Sequence, residues 1–307
     1  MDKRLLLSEL VPGSIHRAKS AQAHAGGKAA HVAMVLRTLG ETPLWIGFTG
    51  GEAGEDLLAG LKQLGIRTHA CATHQRTRVN MELIEENGRV TEILDAGGAP
   101  SPLEAAEFQK SCESAFAQGR DQLTVIFSGS LPQGLAENFY ALLIASANSF
   151  GCKTFLDTSG EPLRLALAAS PHFVKPNRQE AEKLLGCEIA DLSAAARAAQ
   201  KLVTMGAPTA AISMGEQGLL WCAGSGEAVY CAKAQATEVR STVGCGDATV
   251  AAFAYAAGNG FTVEETLTLA AACGAANCAA DSPGAARKED IEYFRKQAQV
   301  EVFTRAV

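Results

Sequence analysis

The chain has 307 residues, 47% of them hydrophobic, with 27 Lys and Arg against 33 Asp and Glu for a formal net charge of −6. That length and apolar content allow one large α/β domain, or one domain with a small appendage. The acidic balance argues against nucleic acid or an anionic membrane as partner, so an anionic substrate needs basic residues gathered locally.

Met1-Asp2-Lys3-Arg4 leads into only three leucines before Ser8-Glu9, too short a run for a secretory leader. The longest uncharged apolar stretch, Ala248 to Ala257, is too short for a bilayer, and the cytoplasm is the expected compartment. No opening core strand is visible in residues 1 to 24. Gly26-Gly27-Lys28 then opens a helix from Ala29 to Leu39, with Val32, Val35, Leu36 and Leu39 at helical spacing and Gly40 as the stop. Lys28 at a helix start fits the local dipole poorly; it is either a solvated lysine or one that contacts an anion. Leu44 to Phe48 reads as a short buried strand, and Gly54 to Leu64 as the next helix, closed by Gly65.

Between Arg67 and Glu92 the apolar period falls to two, with a turn at Asn87-Gly88, which predicts a hairpin. One of its faces carries Arg76, Arg78, Asn80 and Glu82, either as a solvated face or as a small sheet over a polar site. From Ala99 onward helices and strands alternate. Leu123–Phe127, Thr154–Leu156, Phe173–Val174 and Ala210–Ile212 read as buried strands, and each runs into polar residues: Ser128-Gly129-Ser130, Asp157-Thr158-Ser159-Gly160, Lys175-Pro176-Asn177 and Ser213-Met214-Gly215. In an open parallel sheet the ligand crevice lies beyond the carboxyl ends of the strands, so this placement predicts a binding site there.

The strongest single stretch is Ser241 to Val250. Gly244 and Gly246 bracket Cys245, Asp247 follows, and an almost wholly apolar helix begins. Glycine-flanked N–H groups and the positive end of a helix dipole form an anion hole. A carboxylate there would repel a bound anion; it makes sense either as a helix cap or as the base that takes a proton from a nucleophile attacking a phosphoryl group. Nine cysteines without a Cys-x-x-Cys pair suit reduced thiols, and six histidines show no metal-ligand spacing. A Walker loop, a protein-kinase signature, a Rossmann fingerprint and a hydrolase elbow are all missing from the sequence.

Gly26-Gly27-Lys28, Ser128-Gly129-Ser130-Leu131-Pro132, Lys175-Pro176-Asn177-x-x-Glu180 and Gly244-Cys245-Gly246-Asp247, in this order over nearly the whole chain, resemble the motifs of PfkB-type sugar kinases of the ribokinase fold. Thr77-Arg78-Val79-Asn80 and Asp157-Thr158-Ser159-Gly160 resemble the ketohexose-phosphate branch, which includes 1-phosphofructokinase, tagatose-6-phosphate kinase and a minor 6-phosphofructokinase. The resemblance implies a three-layer α/β/α domain with a mostly parallel sheet, formed by 25–66 and 99–307, and a small β lid formed by 3–24 and 67–98. It implies ATP-dependent phosphorylation of a ketohexose phosphate to the bisphosphate. The alternative is a catalytically inactive sugar-phosphate or nucleotide binder of the same fold.

By the same resemblance Asp247 is the base, and Gly244, Cys245 and Gly246 hold the transferring phosphoryl group. Asn177 and Glu180 serve the phosphate and Mg²⁺ side, Glu180 through water. Ser213, Gly215, Gly218 and Thr242 line the nucleotide, and Asn277 borders the adenine. Asp2, Gly27, Lys28, His31, Arg78, Asn80 and Ser130 face the acceptor, with Lys28 and Arg78 on its existing phosphate. A monovalent cation and a homodimer joined through the lid are compatible with this reading. Three departures stand out: Ala29 and His31 replace glycine and asparagine, Cys245 replaces alanine, and the apolar strand before Asp2 is missing, from which a natural start upstream of Met1 is expected.

Overall fold

The structure, a computed structural model, describes residues 1–224 and 228–304; the remaining residues of the expected 99–307 core range lie outside the described ones. Strands β1 (Asp2–Leu7) and β2 (Ser20–His24) are followed by α1 (Lys28–Thr38), β3 (Leu44–Thr49), α2 (Gly51–Gln63) and β4 (Arg67–Ala72). The expected hairpin is β5 (Asn80–Glu85) and β6 (Val90–Ile93), antiparallel about a turn in which Gly88 takes a φ of 85°. Next come α3 (Pro102–Gly119), β7 (Thr124–Ser128), α4 (Phe139–Ser149), β8 (Lys153–Asp157), α5 (Gly160–Leu167), β9 (Phe173–Val174), α6 (Arg178–Leu185), α7 (Leu192–Thr204) and β10 (Thr209–Ser213). The chain closes with β11 (Leu219–Ala223), β12 (Val229–Lys233), α8 (Cys245–Asn259), α9 (Val263–Ala279), α10 (Lys288–Arg295) and β13 (Gln299–Thr304).

Seven strands form the central sheet in the order β13-β12-β11-β10-β9-β8-β7. Successive side chains alternate between its faces, as the pleat requires. Leu156, Val174, Ile212 and Leu220 meet α3 to α7 in one apolar cluster, while Phe155, Phe173, Ala211 and Leu219 meet α1, α8, α9 and α10 in another. The result is the expected three-layer α/β/α sandwich. Parallel pairing is confined to β7 through β10, and β10 to β13 are antiparallel. The parallel half carries the polar strand ends on one edge of the sheet, with Ser128 beside Asp157.

Two expectations need correction. The first strands are not fully buried: among the described residues β3 pairs with β4 alone and β7 ends the large sheet, so both are largely half-buried. The strand Arg67–Ala72, placed with the lid from its sequence, instead pairs in parallel with β3 across α2. The four-stranded sheet β2-β1-β5-β6 contains the other strands of the expected lid ranges, and β1 lies parallel to β5 with Asp2 opposite Asn80.

Candidate active site

The glycine-flanked helix start forms where the sequence places it. Gly244 is the N-cap of α8 with a φ of 79°, a left-handed conformation suited to glycine. A Cβ on Gly244 would lie 2.9 Å from Pro283 Cβ, and one on Gly246 would lie 3.1 Å from Lys175 Nζ, so the backbone approaches its neighbours only because side chains are missing. The amides of the first turn have no acceptor within the helix and are available to an anion. Asp247 is not the cap. It is the third residue of the helix, 4% exposed, and its Oδ2 lies 2.9 Å from His31 Nδ1.

His31 connects two carboxylates. Its Nε2 is 3.0 Å from Asp2 Oδ2, and the side chain is buried. Burial opposes its charge, but hydrogen bonds and charges from Asp2 and Asp247 outweigh that and raise its pKa to about 9. The ring is therefore held toward the imidazolium form at neutral pH, with Nδ1 hydrogen-bonded to Asp247 and Nε2 ion-paired with Asp2 without hydrogen-bond geometry. For Asp2, burial works to raise the carboxyl, yet His31, the Gly27 N–H and the N-terminal ammonium hold it well below the usual range. Gly27 N donates to Asp2 Oδ2 at 3.0 Å, and Asn80 Nδ2 to Asp2 Oδ1 at 3.1 Å.

Lys28 begins α1, and its Nζ donates to Asp157 Oδ2 at 2.9 Å while standing 3.9 Å from Asp247 Oδ1. The purely solvated lysine is thereby excluded. Burial works against its charge, but Asp157, Asp247 and Glu180 hold the ammonium above its ordinary range. A Cβ on Gly129 would touch the Lys28 side chain, and from Ser130 next door the hydroxyl accepts from Arg78 Nη1 at 3.0 Å. Asp2, Asn80, His31, Asp247, Lys28 and Asp157 thus join in one polar network, with the Arg78–Ser130 pair beside it.

Two members were not singled out from the sequence as site residues. Asp157 is buried at the end of β8, its carboxyl held low against burial by Lys175 and Lys28. Lys175 is 2% exposed, 3.7 Å from Asp157 Oδ1, with its ammonium under Gly246. The signal was present in the sequence, since Asp157 and Lys175 are the first polar residues after two apolar strands.

Expected nucleotide-side residues lie along the next strand ends. Asn177 bridges to Ser213, and Gly215 and Gly218 shape the turn between β10 and β11 with φ values of 61° and 95°. A Cβ on Gly218 would meet the Ala232 carbonyl at 2.3 Å. Asn177 and Glu180 also form a capping box on α6: Glu180 N donates to Asn177 Oδ1 at 2.9 Å, and Asn177 N to Glu180 Oε2 at 2.8 Å. The Asn-x-x-Glu spacing announces this structural role, which the sequence reading passed over. Thr242 is exposed in the loop before α8, and its carbonyl accepts from Cys245 N at 3.4 Å.

Asn277 is 1% exposed; its Nδ2 donates to the Val243 carbonyl at 2.8 Å, and its Oδ1 accepts from Gly284 N at 2.8 Å. The amide ties the loop before α8 to the turn at Gly284.

A glycine-capped helix start, the buried Asp247 carboxylate in its first turn and the nearby Lys28 are features that a phosphotransferase would use. The chain belongs to the pfkB family of carbohydrate kinases, whose family model matches residues 2–290. It is 37% identical over 261 residues to a 1-phosphofructokinase of Xanthomonas campestris pv. campestris, covering 83% of this chain and 80% of that one. To a 1-phosphofructokinase of Borreliella burgdorferi it is 33% identical over 277 residues, covering 90% and 88%. Among solved structures, phosphofructokinase-2 of Escherichia coli, in complex with fructose-6-phosphate and also with potassium, superposes with a TM-score of 0.87 at 25% identity, covering 96% of this chain and 95% of that one. The chain is an ATP-using carbohydrate kinase, a phosphotransferase with an alcohol as acceptor. Among the described residues no helix is long and apolar enough to cross a membrane.

Proposed function

We propose that this kinase transfers the terminal phosphoryl group of ATP to a free hydroxyl of a ketohexose monophosphate, with fructose 1-phosphate as the preferred acceptor. The observation that carries the reading is Asp247: a buried carboxylate in the first turn of the anion-hole helix, with Oδ2 fixed by His31 and Oδ1 on the Lys28 side. Similarity to two 1-phosphofructokinases supports the choice of acceptor.

In this mechanism Oδ1 of Asp247 accepts the proton of the attacking hydroxyl, while the first-turn amides from Gly244 to Asp247 hold the phosphoryl oxygens. His31 fixes the carboxylate's orientation. Lys28 and Arg78 receive the acceptor's phosphate, Lys28 exchanging its bond to Asp157 for one to the ligand. Asp2, Asn80, Gly27 and Ser130 line the sugar. Ser213, Gly215, Gly218 and Thr242 line the nucleotide.

Among the described residues no three His, Cys, Asp or Glu side chains gather as a metal site, and the capping box uses only Oε2 of Glu180. That arrangement fits Mg²⁺ carried by nucleotide phosphates and water, with Glu180 as an outer partner. Held there, Mg²⁺ would supply charge neutralisation of the phosphates. The potassium complex of the bacterial phosphofructokinase-2 supports a monovalent-cation requirement as well. The exposed edge strand β2 makes the lid the face for a homodimer. ATP as co-substrate suits a cytoplasmic enzyme.

A coupled ADP-release assay across fructose 1-phosphate, fructose 6-phosphate and tagatose 6-phosphate tests the reading, with kcat/KM expected highest for the first. A preference for either of the others overturns the acceptor choice. Binding of ATP and all three sugar phosphates without turnover favours the inactive binder.

A further inference from the structure

The anion hole contains a thiol that the phosphoryl-transfer chemistry does not use. Cys245, the first residue of α8, has its Sγ 3.0 Å from Sγ of Cys278 on α9, and both residues are partly exposed. The surrounding backbone holds the two together. Arg240 N and Ser241 N donate to the Cys278 carbonyl at 2.8 and 3.3 Å, and neighbouring Asn277 donates to the Val243 carbonyl.

We propose that Cys245 and Cys278 form a reversible dithiol–disulfide site that locks the anion hole to α9 and thereby switches the kinase off under oxidation. A disulfide needs its sulfurs about 2.05 Å apart, so the pair has about 1 Å to close. Cys245 lies between the two glycines of the hole, and closure moves its N–H and the helix start with it. Misplacement of about 1 Å in a catalytic constellation costs on the order of a hundredfold in rate. The rate effect rests on the proposed kinase function; the covalent chemistry does not.

The chemistry balances with a small-molecule disulfide, such as oxidised glutathione, as oxidant. With Cys245 as hydrogen-bond donor, Cys278 is held below the ordinary thiol range and Cys245 above it. Cys278 is then the attacking thiolate. It displaces one thiolate from the oxidant and forms a mixed disulfide. Cys245, giving up its proton to solvent, attacks Cys278 Sγ and expels the second thiolate. Two protein thiols are oxidised, one disulfide is reduced to two thiols, and the two protein protons end on the leaving thiolates.

The test equilibrates the full chain in glutathione buffers from reducing to oxidising, maps disulfides by peptide mass spectrometry and measures kcat on the same samples. The expected result is a 245–278 link, a fall in kcat of tenfold or more, and recovery of both with dithiothreitol. Cys278→Ser is expected to match the parent when reduced and to keep its activity when oxidised; Cys278→Ala serves if the serine variant does not fold. Failure of the link to form while exposed Cys187 becomes glutathionylated overturns the site. A complete link with unchanged kcat overturns the switch. If the chain phosphorylates none of the sugar phosphates, the peptide map still decides whether the site exists.

Discussion

The proposed acceptor and nucleotide sides of the site are built in opposite ways. On the acceptor side, Asp2, Lys28, His31, Arg78, Asn80, Asp157 and Asp247 come from five segments and are joined, Arg78 through Ser130, by hydrogen bonds and ion pairs that are mostly buried or half-buried. On the nucleotide side, Asn177, Glu180, Gly215 and Gly218 are shaped by a local capping box and a glycine turn, with Asn177 and Gly215 exposed. The acceptor side is thus preorganised by its own charges, and substitutions there should disturb stability and catalysis together. The nucleotide side should lose ligand affinity with little change in stability.

The largest expected effect tests whether Asp247 joins chemistry to structure. Asp247→Asn keeps the shape but accepts no proton, and kcat should fall by about a hundredfold to ten-thousandfold with ATP affinity retained. Because His31 then loses one of its two anionic partners, a lower melting temperature should accompany the loss of rate. Turnover within a few fold of the parent would show that Asp247 only positions the ring.

His31→Ala should cost about 3 to 5 kcal/mol of stability, since it leaves two buried carboxylates without their shared cation. The parent's pH dependence gives an independent measure. The folded pKa of His31 is raised from 6.5 to about 9, so its contribution is complete below about 6.5 and is lost as pH rises through about 9. Denaturation midpoints taken from pH 6 upward should fall across this window in the parent and show a flatter profile in His31→Ala. Equal slopes would detach the imidazolium from the stability of the acceptor side.

Arg78→Ala should raise KM for the sugar phosphate about tenfold, equivalent to about 1.4 kcal/mol, with KM for ATP nearly unchanged. The smallest effect belongs to Glu180→Gln. Glutamine still completes a capping box, so melting temperature should stay near the parent's while the apparent KM for Mg-ATP rises about threefold to tenfold. Equal weakening of both substrates by either variant would erase the division between the two sides.

Much of this site can be read from the sequence because its parts are short motifs at element boundaries. Gly244 to Asp247 folds as a glycine-capped helix start, Gly26-Gly27-Lys28 opens α1, and the Asn87-Gly88 turn closes its hairpin. Contacts made only by tertiary folding were not legible. No spacing rule shows that His31 bridges residues 2 and 247, that Lys175 lies under Gly246, or that Cys245 meets Cys278. Period-two alternation in 67–98 also merges β4 with the hairpin, because periodicity reports which face is apolar and not which strand is the partner.

Among the described residues, the four strands of the small sheet place no side chain in the three hydrophobic clusters, although Leu7 and Leu83 are buried and the flanking Met1, Ala25 and Val79 join the third cluster. Polar contacts hold the sheet instead: Arg4 with Glu82, Arg89 with Glu85, and Asp2 with His31 and Gly27. A unit with so little apolar surface of its own opens by local unfolding at a lower free energy than the sandwich beneath it. Amide hydrogen exchange in β1 and β5 therefore reads the acceptor site directly, since the bonds that shape the pocket are the bonds that keep its cover from unfolding.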